Sequence, residues 1–455
     1  MPSAERHLEA DVAVIGAGLA GLITARQLAA AGVDVVVLEA RNRPGGRILN
    51  HEIDGAHVVE VGGQWVGPTQ HRVSALIGEL GLATFDTYTS GANLFEHDGR
   101  LRRYPGEIPR VNPVALADVQ LAMTRLERMA KQVDPAAPWE AARADRWDAE
   151  TVASWTRRQM GTALGRTLIA LACEAVWAAD PADVSLLHFL AYASSAGGLN
   201  QLISTDGGAQ QSRVVGGSQL IALRLAEQLG DRVVYDAPIT AISHEPDVRA
   251  WGSTVEVSAR RAVLAMSPAL TGRLAYTPAL PAHRDQLTQR MPNGSVIKCN
   301  VVYDEPFWRA AGLSGQVTSD TGPVKVVFDN SPPDGRPGVL LGFLEGDQAR
   351  RLGRLGPTER QRAVVDCLTR FFGNEASRPL EYVERDWSAE EWTRGCYGAF
   401  LPPHTWTAFG SALRTPIGNL HWAGAETATE WMGYMDGAVQ SGERAAAEVL
   451  EHLSG

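Results

Sequence analysis

Patterns typical of metal sites and disulfide frameworks are missing from this sequence. Its few cysteines are far apart and form no C-x-x-C, so neither a zinc site nor a disulfide framework is predicted. The histidines show no metal-like spacing, and no G-x-S-x-G nucleophile motif occurs. We therefore expect no metal ion and no nucleophilic triad. The four cysteines are Cys173, Cys299, Cys367 and Cys396.

Basic blocks and long apolar runs are also missing. The net charge is −10 without a cluster of lysine and arginine, which argues against a nucleic-acid partner. No apolar run is long enough for a membrane span, and the polar start MPSAERHLEAD does not resemble a signal peptide. These features predict a soluble, cytoplasmic protein without a membrane anchor. With 455 residues, of which 45% are hydrophobic, the chain is expected to form two globular domains.

The most informative stretch is Asp11–Glu39, which predicts a strand, a turn, a helix and a second strand. Its turn contains a G-x-G-x-x-G. Gly16 allows the tight turn, Gly18 lets the backbone approach a pyrophosphate, and Gly21 lets the helix pack closely on the strand. The helix N-terminus favours phosphate, and Glu39 can accept hydrogen bonds from ribose hydroxyls. The stretch therefore predicts dinucleotide binding without identifying the dinucleotide.

The rest of the chain predicts an α/β fold in which a Rossmann-like domain is interrupted by a discontinuous α+β domain. Helical spacing marks Val114–Gln132 and Trp147–Trp177, whereas the chain returns to short apolar strands at Val255–Val257 and Ala262–Met266. Further strands are predicted at 294–303, 324–328 and 339–343. The dinucleotide-binding domain is assigned to residues 8–85, 206–293 and 390–455, and the second domain to residues 86–205 and 294–389.

Two further motifs add a family resemblance. The segment E-A-R-x-R-x-G-G-R from Glu39 to Arg47 and the segment A-G-x-E-T from Ala423 to Thr427 resemble FAD-dependent amine oxidases of the monoamine oxidase branch. The resemblance extends from Asp11 to Leu450. It implies the amine oxidase fold and bound FAD, with Arg47 neutralising phosphate charge and the backbone at Ile239 contacting adenine. The expected cofactor-binding residues are Gly16, Gly18, Gly21, Glu39, Ala40, Arg41, Gly46, Arg47, Gly63, Gln64, Trp65, Ile239, Trp387, Cys396, Gly424, Glu426, Gly433, Tyr434, Met435 and Ala438.

The resemblance also implies three catalytic residues. Tyr397 and Tyr434 match two aromatic residues that face each other in front of the flavin and guide the amine nitrogen. Aromatic faces attract an amine and exclude water, which suits this role. Lys298 matches a lysine that is linked through a water molecule to flavin N5. It lies in an apolar strand, where an unpaired lysine is costly.

Cys396 matches the cysteine that carries flavin through an 8α thioether in animal monoamine oxidases. Those enzymes usually have Ser-Gly-Gly before it, whereas this chain has Thr393-Arg394-Gly395. Related bacterial oxidases often hold FAD without a bond. Both covalent and non-covalent FAD therefore remain open.

The matched substrate pocket is mostly apolar. It indicates oxidation of primary amines to an aldehyde, ammonia and hydrogen peroxide, and secondary amines remain an open alternative. Apolar or arylalkyl monoamines are the expected preferred substrates. No matched position supplies the carboxylate that a diamine would need. A putrescine oxidase, a flavin amine dehydrogenase and a non-catalytic escort protein of the same fold remain alternatives. A homodimer is expected from the family. The pocket residues are Gln210, Leu202, Ile203, Val326, Phe343, Ala175 and Val176.

Overall fold

The computed structural model describes residues 6–53, 55–106, 109 and 111–454. Its first sheet has eight strands among these residues. The two strands of the glycine motif lie side by side and run parallel, with Val12 opposite Val35. Residues 12–15 of the first strand and all of Val35–Leu38 are buried, as expected for parallel strands in the middle of a covered sheet. In spatial order the strands are Val233–Val234, Val35–Leu38, Arg6–Ile15, Val255–Leu264, Val248–Trp251, Ala241–Ser243 and Ala275–Thr277, with Leu420–Trp422 also paired to Val255–Leu264.

Three helices cover one face of this sheet. Leu19–Ala30 follows the glycine turn, Gln219–Leu229 lies beside it, and Met435–Ser454 packs on it. Gly442 makes this packing close, because an added Cβ would lie 2.5 Å from the carbonyl oxygen of Ala20. The first and the last helix of the chain therefore meet at the end of the sheet where the glycine turn lies.

The second sheet is largely antiparallel. Its strand Val296–Tyr303 is buried throughout and lies between Glu381–Asp386 and Gly338–Glu345. In spatial order the strands are Glu381–Asp386, Val296–Tyr303, Gly338–Glu345, Val326–Asp329, Leu313–Ser319, Ala92–His97 and Arg100–Tyr104. Two small sheets join Asn50–Ile53 to His57–Glu60, and Trp65–Val66 and Thr84–Asp86 to Ser212–Val214.

The helices form a separate layer between residues 113 and 203 and cover the sheets elsewhere. No helix in the described part of the chain has the length and apolar character needed to cross a membrane. The helices not yet named are His71–Glu79, Pro113–Ala130, Ala144–Asp148, Val152–Gln159, Ala163–Trp177, Leu186–Ser195, Leu199–Ile203, Pro268–Thr271, Ala282–Gln289, Phe307–Ala310, Asp347–Leu352, Pro357–Phe372 and Trp406–Phe409.

The α/β architecture confirms the predicted fold class, but two local predictions were wrong. The strands predicted at Val255–Val257 and Ala262–Met266 form one strand, Val255–Leu264, because it pairs along its length with Arg6–Ile15. The polar residues between the two predicted strands had hidden this continuity. Ala92–His97 and Arg100–Tyr104 are strands of the second sheet in a region expected to be mostly helical. The domain boundaries remain a prediction.

Candidate active site

The glycine turn has the geometry that its sequence predicts. Gly16 has a φ of +108°, which favours glycine. A Cβ on Gly21 would lie 1.9 Å from the carbonyl oxygen of Gly16, so only glycine allows this contact between helix and strand. At Gly18 a Cβ would meet nothing within 4 Å, which leaves the backbone open to a ligand.

Glu39 closes the same turn from the next strand. Its carboxylate accepts hydrogen bonds from the backbone N–H of Ala17, at 2.8 Å, and of Arg41, at 3.0 Å. Arg41 also donates a 2.6 Å hydrogen bond to the hydroxyl of Thr393. The Arg41 guanidinium adds a third, longer hydrogen bond to Glu39, at 3.4 Å. A carboxylate has about four acceptor positions, so about one of them remains for a ligand. The strand end, the turn and the segment before Cys396 are thereby held together.

A cavity of about 1070 Å³ extends from this turn to the aromatic residues of the C-terminal segment. Most of the predicted cofactor-binding residues line it. Three of them, Gly21, Glu426 and Trp387, do not line it. The predicted residues that line the cavity are Gly16, Gly18, Glu39, Ala40, Arg41, Gly46, Arg47, Gly63, Gln64, Trp65, Ile239, Cys396, Gly424, Gly433, Tyr434, Met435 and Ala438.

Arg47 is paired within the protein. Its guanidinium donates to both carboxylate oxygens of Glu426, at 2.6 and 2.9 Å, and to the carbonyl oxygen of Tyr397 at 3.0 Å. Burial acts to raise the pKa of Glu426, but the Arg47 charge together with the hydrogen bonds from Arg47 and from backbone N–H groups holds this pKa below its usual value. Arg47 therefore balances the charge of Glu426, and the pair fixes the backbone at Tyr397. That Arg47 also neutralises phosphate charge remains a prediction.

Lys298 is buried in the middle of its strand, opposite Phe343. Its ammonium donates a 2.7 Å hydrogen bond to the carbonyl oxygen of Gly62 and another to Oε1 of Gln64. Burial lowers the pKa of Lys298 to about 7, although the nearby Glu60 acts to raise it. Lys298 therefore lines the cavity with an ammonium group that burial makes easier to deprotonate.

Tyr397 and Tyr434 both line the cavity. Tyr397 packs edge-on against Phe343, with ring centroids 6.1 Å apart. Tyr434 packs against Trp431 at 4.9 Å and Tyr192 at 5.9 Å. Among the described residues no ring contact joins the two tyrosines, so each is fixed by other rings while its exposed surface faces the cavity. The face-to-face arrangement remains a prediction.

Cys396 is buried beside the cavity, in an apolar cluster that contains Trp387. Burial raises the pKa of its thiol to about 12. The indole N–H of Trp387 donates a 2.7 Å hydrogen bond to the carbonyl oxygen of Val61. Arg394 stands where the resembled enzymes usually have a small residue. Its Nε donates a 3.0 Å hydrogen bond to the carbonyl oxygen of Glu391. The Arg394 side chain is thus held by its own loop.

The outer wall of the cavity is mainly apolar. Leu202 is buried, whereas Ile203 is 47% exposed at the surface. Gln210 donates a 3.0 Å hydrogen bond to the carbonyl oxygen of Leu202, and its Oε1 is buried without a partner among the described residues. A ligand or water can therefore bind there. The predicted pocket residues on the cavity wall are Gln210, Leu202, Ile203, Val326, Phe343, Ala175 and Val176.

Glu345 and Tyr192 are among the residues on this wall that sequence reasoning missed. Glu345 is 3% exposed and accepts a 2.8 Å hydrogen bond from the hydroxyl of Tyr397. A lone acidic residue after the apolar run 339–344 was the available signal. Tyr192 lies against Gly433, where a Cβ would be 2.5 Å from the tyrosine hydroxyl oxygen. Nothing in its apolar helix distinguishes Tyr192 from a core residue.

This combination of a dinucleotide turn and an aromatic, apolar cavity defines a class of flavoenzymes. A family model described as flavin containing amine oxidoreductase matches residues 19–450. The chain therefore belongs to the flavin-containing amine oxidase family, which confirms the predicted enzyme class.

Individual relatives agree with this assignment. AofH of Mycobacterium tuberculosis, whose name describes a flavin-containing monoamine oxidase, is 42% identical over 444 residues, which is 97% of each chain. A solved structure of putrescine oxidase bound to putrescine has a TM-score of 0.94 and 35% identity, over 98% of this chain and all of that one. Cyclohexylamine oxidase from Brevibacterium oxydans has a TM-score of 0.93 and 32% identity over the same shares.

The family implies FAD, and the cavity fits it. The cavity is elongated. One end contains the open backbone at Gly18 and the carboxylate of Glu39, which can accept a hydrogen bond from a ribose hydroxyl, and the other end contains the aromatic residues Tyr397 and Tyr434. At that end the buried indole N–H of Trp65 has no partner among the described residues, so a polar ligand group can accept a hydrogen bond from it. The helix that starts at Met435 directs its N-terminus towards the same wall.

Proposed function

We propose that this protein oxidatively deaminates primary amines with FAD as cofactor, and that it prefers apolar or arylalkyl monoamines. The observation that supports the proposal is the cavity wall, where Tyr397 and Tyr434 lie beside the apolar side chains of Leu202, Val326 and Phe343. In the overall reaction, amine, dioxygen and water give aldehyde, ammonia and hydrogen peroxide.

The roles of the protein residues follow from their surroundings. The two tyrosine rings would exclude water from the amine nitrogen, and the apolar wall would bind the carbon skeleton at about 25 cal/mol per Å² of apolar surface buried. Bound FAD would supply the oxidising chemistry, with dioxygen as the final electron acceptor. Lys298, whose pKa burial lowers to about 7, would hold a water molecule and exchange a proton beside the cofactor.

Steady-state assays with hydrogen peroxide detection test this proposal. The purified protein should absorb at about 450 nm, as flavoproteins do. It should oxidise benzylamine and 2-phenylethylamine with higher kcat/KM than putrescine. The same assay with an artificial electron acceptor under anaerobic conditions separates an oxidase from a dehydrogenase. A colourless protein, or one inactive with every amine, would instead support the escort alternative.

A diamine oxidase remains the second candidate, and Glu345 is the observation that favours it. The sequence indicated no carboxyl group on the pocket wall, yet Glu345 lines the cavity. Burial raises the pKa of Glu345 to about 8, so its carboxyl is mainly neutral at pH 7 and binds a second ammonium weakly. Putrescine turnover above that of benzylamine would overturn the monoamine preference.

We further propose a thioether between Sγ of Cys396 and the flavin 8α carbon, supported by the cavity-lining position of Cys396. Its formation would break the thiol S–H bond and one 8α C–H bond, and the two electrons and two protons released would be taken up by the flavin and then by dioxygen, which the proposed reaction already uses. Denaturing precipitation tests it, since yellow colour stays with the pellet only if the flavin is covalently bound. The homodimer and the cytoplasmic location remain predictions. Sedimentation of the purified protein tests the dimer.

A further inference from the structure

Glu345 occupies an unusual position in the second sheet. Alternate residues of its strand, Leu341, Phe343 and Glu345, point to the same face. Leu341 and Phe343 belong to the apolar cluster that contains Cys396. Glu345 ends this apolar row with a carboxyl group that is only 3% exposed. A carboxyl group buried in such a place is costly unless it is bound, so its partners indicate what it does.

Its partner is Tyr397. The tyrosine hydroxyl donates a 2.8 Å hydrogen bond to Oε1 of Glu345, whereas Oε2 is buried without a partner among the described residues. Two residues earlier on the same strand, Phe343 packs edge-on against the Tyr397 ring at an interplanar angle of 75°. Phe343 therefore restrains the ring, and Glu345 restrains the hydroxyl at its end.

The charged groups around Glu345 come from two other elements. Glu174, on the helix Ala163–Trp177, forms a 2.5 Å ion pair with Lys325, which precedes the strand Val326–Asp329. Burial is the main cause that raises the pKa of Glu345 to about 8, and Glu174 adds to it, whereas the Tyr397 hydrogen bond and Lys325 act against it.

We propose that Glu345 is a positioning residue, which holds the hydroxyl of Tyr397 and so fixes the aromatic ring against which the amine binds. This proposal rests on the proposed amine oxidase function and deepens it. It assigns Glu345 no contact with the reacting atoms. Tyr397 lies on a loop after Cys396, and its backbone is held by Arg47 through the carbonyl oxygen. Glu345 thus adds a second fixed point at the far end of the side chain.

The first test compares four variants of the holoenzyme: Glu345→Leu, Glu345→Gln, Tyr397→Phe and the double variant Glu345→Leu/Tyr397→Phe. Leucine continues the apolar row without a hydrogen bond, and glutamine keeps an acceptor without a titrating group. Glu381→Gln, which changes an exposed carboxylate two strands away in the same sheet, is the control. The measurements are kcat and KM for benzylamine and the Kd for 2-phenylethanol by calorimetry, which does not depend on turnover.

We expect Glu345→Leu to weaken 2-phenylethanol binding and to lower kcat/KM about threefold to tenfold, which corresponds to one net hydrogen bond. Glu345→Gln should stay within about twofold of wild type, because its amide oxygen still accepts the hydroxyl. The double variant should be no worse than the poorer single variant, since both remove the same interaction. The control should match wild type.

A second measurement uses pH and does not depend on the leucine variant folding. Above about pH 8 the ionised Glu345 places a charge beside the apolar ligand, so wild-type Kd for 2-phenylethanol should rise. In Glu345→Gln this rise should disappear. Lys298 also titrates near this range, with a pKa of about 7, but it does so in both proteins. The difference between the two pH profiles therefore reports Glu345.

Three results would overturn the proposal while leaving the amine oxidase function intact: unchanged Kd and kcat/KM in a folded Glu345→Leu protein, fully additive effects of Glu345→Leu and Tyr397→Phe, or a loss confined to putrescine. The last result would make Glu345 a substrate-binding residue. Absence of any amine oxidation by wild type would instead refute the proposed function.

Discussion

Replacing Lys298 with methionine should change the pH dependence of stability by a predictable amount. Burial lowers the pKa of Lys298 from 10.5 to about 7 in the folded protein. Between these two values the unfolded chain binds more protons than the folded one, so wild-type stability rises with pH across that interval. Below pH 7 the lysine is charged in both states and its burial cost is fully present. Methionine has no such cost at any pH.

The magnitude follows from the same pKa values. At about 1.4 kcal/mol for each pH unit between the two pKa values, the charged lysine costs about 5 kcal/mol at pH 6 and about 2 kcal/mol at pH 9. Methionine also leaves the carbonyl oxygen of Gly62 and Oε1 of Gln64 without their donor, at about 1–3 kcal/mol each, independent of pH. The stability of Lys298→Met relative to wild type should therefore fall by about 3 kcal/mol from pH 6 to pH 9.

The assay is urea unfolding of both holoenzymes at several pH values, with the flavin content of each sample measured by absorbance and matched between the two proteins. Lys131→Met, which removes an exposed lysine after the helix Pro113–Ala130, is the matched control and should show no such trend. A constant difference between Lys298→Met and wild type across this pH range would refute the assignment of a depressed pKa. A trend of opposite sign would do the same.

Three other predictions concern the cofactor and the substrate. Cys396→Ala should release all flavin colour into the supernatant after denaturing precipitation. The control Cys367→Ala should behave as wild type. Identical behaviour of wild type and Cys396→Ala would count against the thioether. Gly21→Ala should lose flavin binding and at least about 1–3 kcal/mol of stability, because its Cβ would lie 1.9 Å from the Gly16 carbonyl oxygen. Gly78→Ala, in a helix with open space around it, should gain about 0.5–1 kcal/mol in urea unfolding. Because the amine must be neutral to react, kcat should rise with pH through the pKa of the bound amine, and a flat profile with rate-limiting chemistry would contradict this.

Much of the end of the cavity that lies at the glycine turn was predictable, because the sequence pattern that forms it is local. The roles of Gly16, Gly18 and Gly21 depend on residues within one turn, and Glu39 follows at the end of the next strand. Backbone conformation and close packing at such a turn depend on which residues are glycine, so the sequence pattern and the geometry coincide. Strand and helix positions with clear periodicity were predictable for the same reason.

The structure changed the interpretation where contacts join distant parts of the chain. Arg47 lies in a loop that was predicted to contact phosphate, and the structure adds a partner, Glu426, that lies 379 residues away. Val255–Leu264 became one strand because Arg6–Ile15 pairs along it, which local polarity concealed.

The sequence by itself determined the dinucleotide turn, the apolar strand around Lys298 and the family to which these motifs point. Only the tertiary structure decided that Glu345 meets Tyr397 across 52 residues and that Lys298 meets Gly62 across 236. The physical reason is that burial and hydrogen-bond partners are properties of the folded assembly. The pKa values of Lys298 and Glu345 depend first on burial, and then on groups remote in the chain, such as Glu60 for Lys298 and Tyr397 for Glu345.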